Sequence, residues 1–343
     1  MFEDAHLRIL LVDVGGALGA ALVQALRRVG AEVTCLGQAP EAVEGVRLLP
    51  GWRARPETWQ ALRGAFDAVV DGGARGLDGP AHPARELRHR VGLVVQLGTW
   101  RVYAGSLDAP TCGAAPGVPA PDRLPVPCPE GAPLRDGEAL GAEDGLWNAR
   151  AQGGYPATVL RLAPLYGPGV RLAREWHVLG RLRAGRRQLG LPDGGGQLLH
   201  RLYLDNAVHA VLCALNHPRE ADGHTFNVGD GRIATLAELA ASLAVAVERP
   251  LEGVPLPRAV LDTHSPFAVP APVVLDLHRA RARLAYVPPV DLLTALERTA
   301  RWLWALGPDD LLPTLEPYWQ RYACGHDYLA EEAALARWTG GGR

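Results

Sequence analysis

A doubly wound parallel α/β sheet, followed by a smaller mixed region, is the fold class that the sequence predicts, and three observations predict it. A continuous apolar run over residues 9–12 reads as a strand buried on both faces of a parallel sheet. A glycine turn and an amphipathic helix follow at once, and the alternation of strand and helix repeats through residue 162. With 343 residues and 48% hydrophobic content, the chain can bury a core of that size. This is a Rossmann-type α/β architecture.

The first helix is expected over residues 17–29, with Leu18, Leu22, Leu26 and Val29 on one face and Gly30 as its stop. Strands follow at 32–36, 66–71 and 91–97, with helical stretches at 56–64 and 80–90 between them. Prolines and glycines crowd residues 109–133, which read as an irregular excursion, either a lid or a disordered loop. A helix over 137–152 then leads to a buried strand at 157–162. After Tyr166-Gly167-Pro168-Gly169 the chain changes character, which divides it into a Rossmann-like domain, 1–165, and a smaller region, 166–343, some of whose elements can return to the sheet. That region carries expected helices at 171–184, 205–215, 236–247, 277–284 and 291–306 and a strand at 225–228; the tail, 313–338, reads as helical.

Charge and composition exclude several functions. A net charge of −2, from 35 basic and 37 acidic residues, gives no general attraction to nucleic acid or to an anionic membrane. Every basic residue is arginine. The absence of lysine removes a P-loop lysine, a Schiff base and a catalytic lysine together. Five scattered cysteines, Cys35, Cys112, Cys128, Cys213 and Cys324, form neither a disulfide framework nor a zinc motif, the histidines have no metal spacing, and no metal is expected. The acidic start, Met1-Phe2-Glu3-Asp4, and the break at Asp13 speak against an export signal or a membrane span, so the cytoplasm is the expected location.

A glycine turn between a first strand and a first helix lets the backbone approach a pyrophosphate, which then rests on the positive helix N-terminus. Here the turn is Asp13-Val14-Gly15-Gly16-Ala17-Leu18-Gly19. Alone it also serves close packing. Four further segments follow in order: 66–74, ending Asp71-Gly72-Gly73-Ala74; 94–103, containing Thr99-Trp100-Arg101-Val102-Tyr103; Arg161 through Tyr166-Gly167-Pro168-Gly169; and Tyr203-Leu204-Asp205-Asn206-Ala207. Together with Phe226-Asn227-Val228-Gly229-Asp230 and Thr235-Leu236-Ala237-Glu238-Leu239, they resemble the NAD-dependent epimerase/dehydratase family, the extended short-chain dehydrogenase/reductases, over residues 8–306.

The resemblance implies NAD or NADP as cofactor, contacted by Gly16, Ala17, Leu18 and Gly19 and by Asp71, Gly72 and Gly73. It implies a small-molecule substrate, often a nucleotide sugar, in a cleft between the two domains near Arg161, Tyr166 and Arg201, with Thr99 at the position of the catalytic Ser/Thr. It also allows a homodimer, although residues 137–152 make a weak helix with Gly141 and Gly145.

The sequence departs from the family where the chemistry matters. The ungapped glycine motif puts Asp13 at the first glycine, and its carboxylate is expected to oppose the cofactor phosphates and weaken both NAD and NADP. The acidic or arginine residue that ends the second strand is replaced around Leu36-Gly37-Gln38, and the adenine-contacting aspartate becomes Gly51-Trp52. Counting back from the strand at Thr158 puts the family's acid/base tyrosine near Arg135 and its lysine near Ala139. Whether the chain is an enzyme stays open at this point. The alternatives are a non-catalytic sensor or scaffold, or a member that binds RNA or protein through Arg171, Arg174, Arg181, Arg183, Arg186 and Arg187. That arginine run reads first as a solvated face opposed by Glu175, while its position after the Tyr-Gly-Pro segment suits a substrate diphosphate. Tyr103 reads as a structural aromatic; Glu143 and Asp144 are available as an unusual acid or base.

Overall fold

The computed structural model describes residues 7–37, 46–49, 56–60, 62–73, 87–104, 124–257, 266–267, 274–322, 332–333 and 335–338. In chain order its strands are β1 Arg8–Val12, β2 Glu32–Leu36, β3 Arg47–Leu49, β4 Phe66–Asp71, β5 Val91–Thr99, β6 Ala157–Leu162, β7 Leu165–Tyr166, β8 Gln188–Pro192, β9 Leu198–Leu199, β10 Leu202–Tyr203, β11 Thr225–Val228, β12 Ala234–Thr235 and β13 Glu252–Leu256. Its helices are α1 Gly16–Arg28, α2 Pro56–Gln60, α3 Glu138–Ala151, α4 Trp176–Arg183, α5 Leu204–Asn216, α6 Pro218–Ala221, α7 Leu236–Ala246, α8 His278–Leu284, α9 Leu292–Ala305 and α10 Pro308–Tyr322.

Seven strands form the central sheet in the order β11-β6-β5-β4-β1-β2-β3, all parallel. The direction of winding reverses between β1 and β4. Side chains in β1 alternate between two cores: Ile9 and Leu11 meet Leu22, Val23 and Leu26 of α1 and Ala207 and Val211 of α5, whereas Leu10 and Val12 meet Trp59, Leu146 and Tyr155 on the other face. A strand buried on both faces needs the unbroken apolar run that the sequence shows.

Helix α1 ends where expected. Gly30 takes a left-handed φ of 79°, the amide of Ala31 returns to the carbonyl of Leu26, and Arg27 and Arg28 sit at the negative end of the helix.

A third core holds α4, α7, α9 and α10 together through Leu179, Leu182, Leu239, Leu243, Leu296, Leu303 and Tyr318. The chain nevertheless returns from this region to the central sheet, because β11 pairs with β6 and α5 packs on the same face as α1.

Several expectations need correction. The helix expected at 171–184 begins only at Trp176; residues 171–175 turn, with the amide of Arg174 on Leu172 O and that of Trp176 on Ala173 O, which buries Ala173 and Glu175. Nor are the arginines that follow one solvated face. Arg181 is buried and donates to the carbonyl of His177, Arg174 lies 5.8 Å over the Tyr322 ring, and Arg183 lies 6.0 Å over Trp176 and donates to Leu306 O. Planar guanidinium groups and long stems here dock the C-terminal helix.

Helix α10 starts at Pro308 and ends at Tyr322, with Pro313 and Pro317 inside it; residues 323–331 lie outside the described residues. Of the stretch expected as helix at 80–90, residues 87–90 form a turn and 80–86 lie outside the described residues, as do Gly51-Trp52, Cys112 and Cys324.

Of the proline-rich excursion, residues 109–123 also lie outside, but residues 124–133 are neither lid nor disordered. Cys128 is buried and bridges to Leu275, and Glu130 accepts the amide of Asn227 at 3.0 Å. Strands β8 and β13, which pair in parallel, carry too many glycines and prolines for their sequences to announce them. Among the described residues, no helix is long and apolar enough to cross a membrane.

Candidate functional site

At their carboxyl ends, β1, β4, β5 and β6 open on a single cleft of about 360 Å³ beside the point where the winding reverses. Open α/β sheets bind ligands at this place. Gly15 and Leu18 line it from the glycine turn, Gly72 from the end of β4, Thr99 and Arg101 from the end of β5, and Arg174 and Arg201 from beyond β6.

The turn explains its own sequence. Gly16 has a left-handed φ of 62°, and a β-carbon added there would meet nothing within 4 Å. Helix α1 has Gly15 at its N-cap, no side-chain cap and no acidic residue in its first turn. Its first amides therefore lack side-chain acceptors at the end where the helix dipole is positive. Gly19 is buried in the first turn, and Ala17 is approached closely by Gly169, whose added β-carbon would lie 3.1 Å from the Ala17 β-carbon.

Residue 13 also has a left-handed backbone, φ 51°, which is why a glycine fits there and why aspartate, among the residues most tolerant of it, can replace one. The expectation that the Asp13 carboxylate opposes a pyrophosphate is corrected by its direction. The carboxylate lies against Gly37 at the end of β2, where an added β-carbon would collide with Oδ1.

Asp71-Gly72-Gly73 forms the facing turn. Asp71 is buried and accepts the Gly73 amide at 2.9 Å, while Gly72 donates to the Val12 carbonyl. A β-carbon on Gly72 would come within 2.7 Å of the Asp13 carbonyl oxygen, so only glycine allows this approach of the two turns.

Thr99 caps the short helical turn Trp100–Val102 by accepting the Arg101 amide at 3.3 Å, and its hydroxyl proton remains for donation. Arg135, at the counted tyrosine position, stands beside this turn: its amide donates to Val102 O and its Nε to Arg101 O, at 2.8 and 2.7 Å.

The three residues expected near a substrate are held by the protein itself. Arg161 is buried, pairs with Glu143 at 2.7 Å, donates to the Glu130 carbonyl and lies 5.0 Å over the Tyr103 ring. Glu143 is thereby spoken for as an acid or base. Tyr103 donates to Asn227 Oδ1, and burial pushes its phenol up to about 12 despite Arg161, which suits a structural aromatic. Tyr166 donates to Asp230 at 2.8 Å, and burial, with the Asp230 charge, raises it well beyond its ordinary range. Arg201 reaches the cleft wall, but it forms a buried ion pair with Glu175 and lies 4.6 Å over the Tyr166 ring.

Asn206 and Asp230 lie in separate segments of the sequence and meet in the fold. Asp230 accepts from Asn206 Nδ2, the Tyr203 amide and the Tyr166 hydroxyl, tying β10 and α5 to the strand that precedes it. No local pattern announces a contact between residues 24 positions apart.

His200 is a strut in the same network. Its Nε2 donates to Asp230 O at 3.1 Å and its Nδ1 accepts the Leu275 amide at 2.9 Å, so the neutral ring satisfies both nitrogens. Burial lowers its pKa from 6.5 to about 4. The unfolded chain then binds more protons between these values. Stability contributed by His200 is complete above pH 6.5 and is lost as pH falls toward 4, by about 3 kcal/mol. Urea unfolding at pH 7, 5.5 and 4.5, compared with His200→Gln, is expected to show a steeper acid loss in the wild type; parallel pH curves would mean that the ring titrates normally.

The model of the NAD dependent epimerase/dehydratase family matches residues 140–229, which include Arg161, Arg201 and the strand of Asn227. The uncharacterized protein YbjS of Escherichia coli (strain K12) is 28% identical over 173 residues, 43% of this chain and 49% of its own length. A 3-diazoavenalumate denitrifying reductase of Streptomyces sp is 28% identical over 236 residues, 61% of this chain and 72% of that protein. The match to YbjS thus spans about half of that relative. Among solved structures, UDP-glucose 4-epimerase from Thermotoga maritima with UDP-glucose aligns with a TM-score of 0.63 at 19% identity, over 86% of this chain and 98% of its own. The Bordetella bronchiseptica enzyme WbmG in complex with NAD and UDP aligns with a TM-score of 0.64 at 18% identity, over 90% and 97%. At such identities the alignments speak for the fold. The chain is thus similar to the NAD dependent epimerase/dehydratase family over residues 140–229 and shares the fold of these structures.

Proposed function

We propose that this protein binds a nicotinamide dinucleotide, with a nucleotide-sugar-like substrate, in the cleft between the glycine turn and residues 162–174, and that it does not use the tyrosine–lysine chemistry of the family it resembles. The observation that carries the reading is the bare start of α1: Gly15 and Gly16 leave uncapped amides at the edge of the cleft, with open space where a side chain would stand. A pyrophosphate fits such a terminus. WbmG with NAD and UDP, and the epimerase with UDP-glucose, support the choice of ligand. When bound, the nicotinamide supplies a hydride donor or acceptor. The protein's own part is to orient it with the turns at Asp13–Gly16 and Asp71–Gly73 and to offer the Thr99 hydroxyl as a hydrogen-bond donor.

The family's acid/base needs a phenol whose pKa is lowered by a fixed cation. This chain has no lysine, and Tyr103 is held at about 12 by burial. A reading as a ligand-binding sensor rather than a catalyst is favoured by the same facts. Mass spectrometry of small molecules released from the native protein, with titration calorimetry of NAD and NADP, tests the binding; no affinity for either would overturn it. For the chemistry, reduced-nicotinamide absorbance against a panel of nucleotide sugars is expected to stay flat in the wild type and in Thr99→Ala. A robust signal lost in Thr99→Ala would show that another group has taken over the acid/base role.

A further inference from the structure

Two departures from the family motif, Asp13 and Gly37, are neighbours in space. Gly37 directly follows β2, the place from which Rossmann proteins extend an acidic side chain to the hydroxyls of the adenosine ribose. It carries no side chain, and its φ is 80°. Asp13 stands where the motif has its first glycine, also left-handed, and its amide donates to the Leu36 carbonyl at 2.9 Å, which holds the two turns edge to edge. An added β-carbon on Gly37 would collide with Asp13 Oδ1 and lie 3.0 Å from its Cγ. The carboxylate of Asp13 therefore occupies the volume in which a side chain at position 37 would begin.

We propose that the two positions have exchanged roles: Asp13, reaching across from the end of β1, supplies the carboxylate that accepts the 2′- and 3′-hydroxyls of the adenosine ribose, and so selects NAD against the 2′-phosphate of NADP. This rests on the dinucleotide reading above. A left-handed backbone disfavours every residue but glycine, with aspartate and asparagine among the least penalised, so this position can carry a carboxylate where few other side chains fit. Gly37 is bare because the space is taken. A carboxylate accepts ribose hydroxyls and repels a phosphate at the same point.

The test uses the full chain and four variants: Asp13→Gly, Asp13→Asn, Gly37→Asp and the exchange Asp13→Gly/Gly37→Asp. Titration calorimetry with NAD and NADP is expected to show the wild type preferring NAD by about tenfold or more, the scale of one charge-assisted hydrogen bond. Asp13→Gly loses about tenfold in NAD affinity and the preference with it, Asp13→Asn loses the preference, and the exchange variant recovers both. A readout free of ligand accompanies this: Gly37→Asp alone lowers the thermal midpoint, through collision and like charge, and the added Asp13→Gly restores it. Unchanged or tighter NAD binding in Asp13→Gly would overturn the exchange while leaving the dinucleotide reading intact. Failure of the wild type to bind either nucleotide would overturn both.

Discussion

Glu143→Ala is expected to cost about 3–5 kcal/mol of folding stability, because it leaves a buried guanidinium without its counter-charge. Glu143 and Arg161 expose 1% and 4% of their side chains, and the pair is bonded through both carboxylate oxygens. What remains to Arg161 after the substitution is one carbonyl, that of Glu130, and the face of the Tyr103 ring. Neither neutralises a charge out of reach of water. The pair also joins α3 to the end of β6, one of the strands that form the cleft floor, so nucleotide affinity should fall alongside stability. Glu143→Gln, which keeps an acceptor and loses the charge, should lose less. Replacing both partners by apolar residues of similar volume should recover much of the loss, since the cost lies in the unpaired charge rather than in the absence of the bridge. Urea unfolding at pH 7 measures all three; a loss below about 1 kcal/mol in Glu143→Ala would mean that water reaches Arg161.

The central sheet is legible in the sequence because a strand segment buried on both faces must be apolar, and residues 9–12, 68–70 and 93–95 are wholly so. The glycine turn is legible because backbone conformation limits the residues that can form it. Gly16 and Gly30 are both left-handed where the motif and the helix stop require it. What is not legible is direction. The place of Asp13 in the motif is legible but the direction of its carboxylate is not, because one torsion decides whether it faces α1 or Gly37. Partnership between distant residues is hidden for the same reason: Glu130 and Asn227 are 97 positions apart, and nothing local to either marks the bond. The arginine run at 171–187 misled by composition. An all-arginine chain uses guanidinium groups for surface charge, ring stacking and burial alike, and only packing separates Arg181, inside, from Arg187, outside.

Glu175→Ala is expected to destabilise the protein by about 3 kcal/mol and, unlike Glu143→Ala, to raise its affinity for phosphate-bearing ligands. Glu175 is fully buried and sits under Arg201, whose side chain is 6% exposed. Arg201 was expected to dock a substrate phosphate, and its place on the cleft wall still allows that. Its charge, however, is already met by Glu175, and its plane is fixed by Tyr166 at 4.6 Å. A guanidinium held in this way offers an incoming phosphate little uncompensated charge. Removing Glu175 leaves that charge to the cleft that Arg201 lines. Titration calorimetry with UDP is expected to show affinity rising about tenfold in Glu175→Ala, the scale of one new charge-assisted hydrogen bond, and changing little in Arg201→Ala, which loses stability instead. The opposite pattern, a large loss of UDP affinity in Arg201→Ala with the unfolding midpoint unchanged, would make Arg201 a ligand residue and Glu175 its orienting partner.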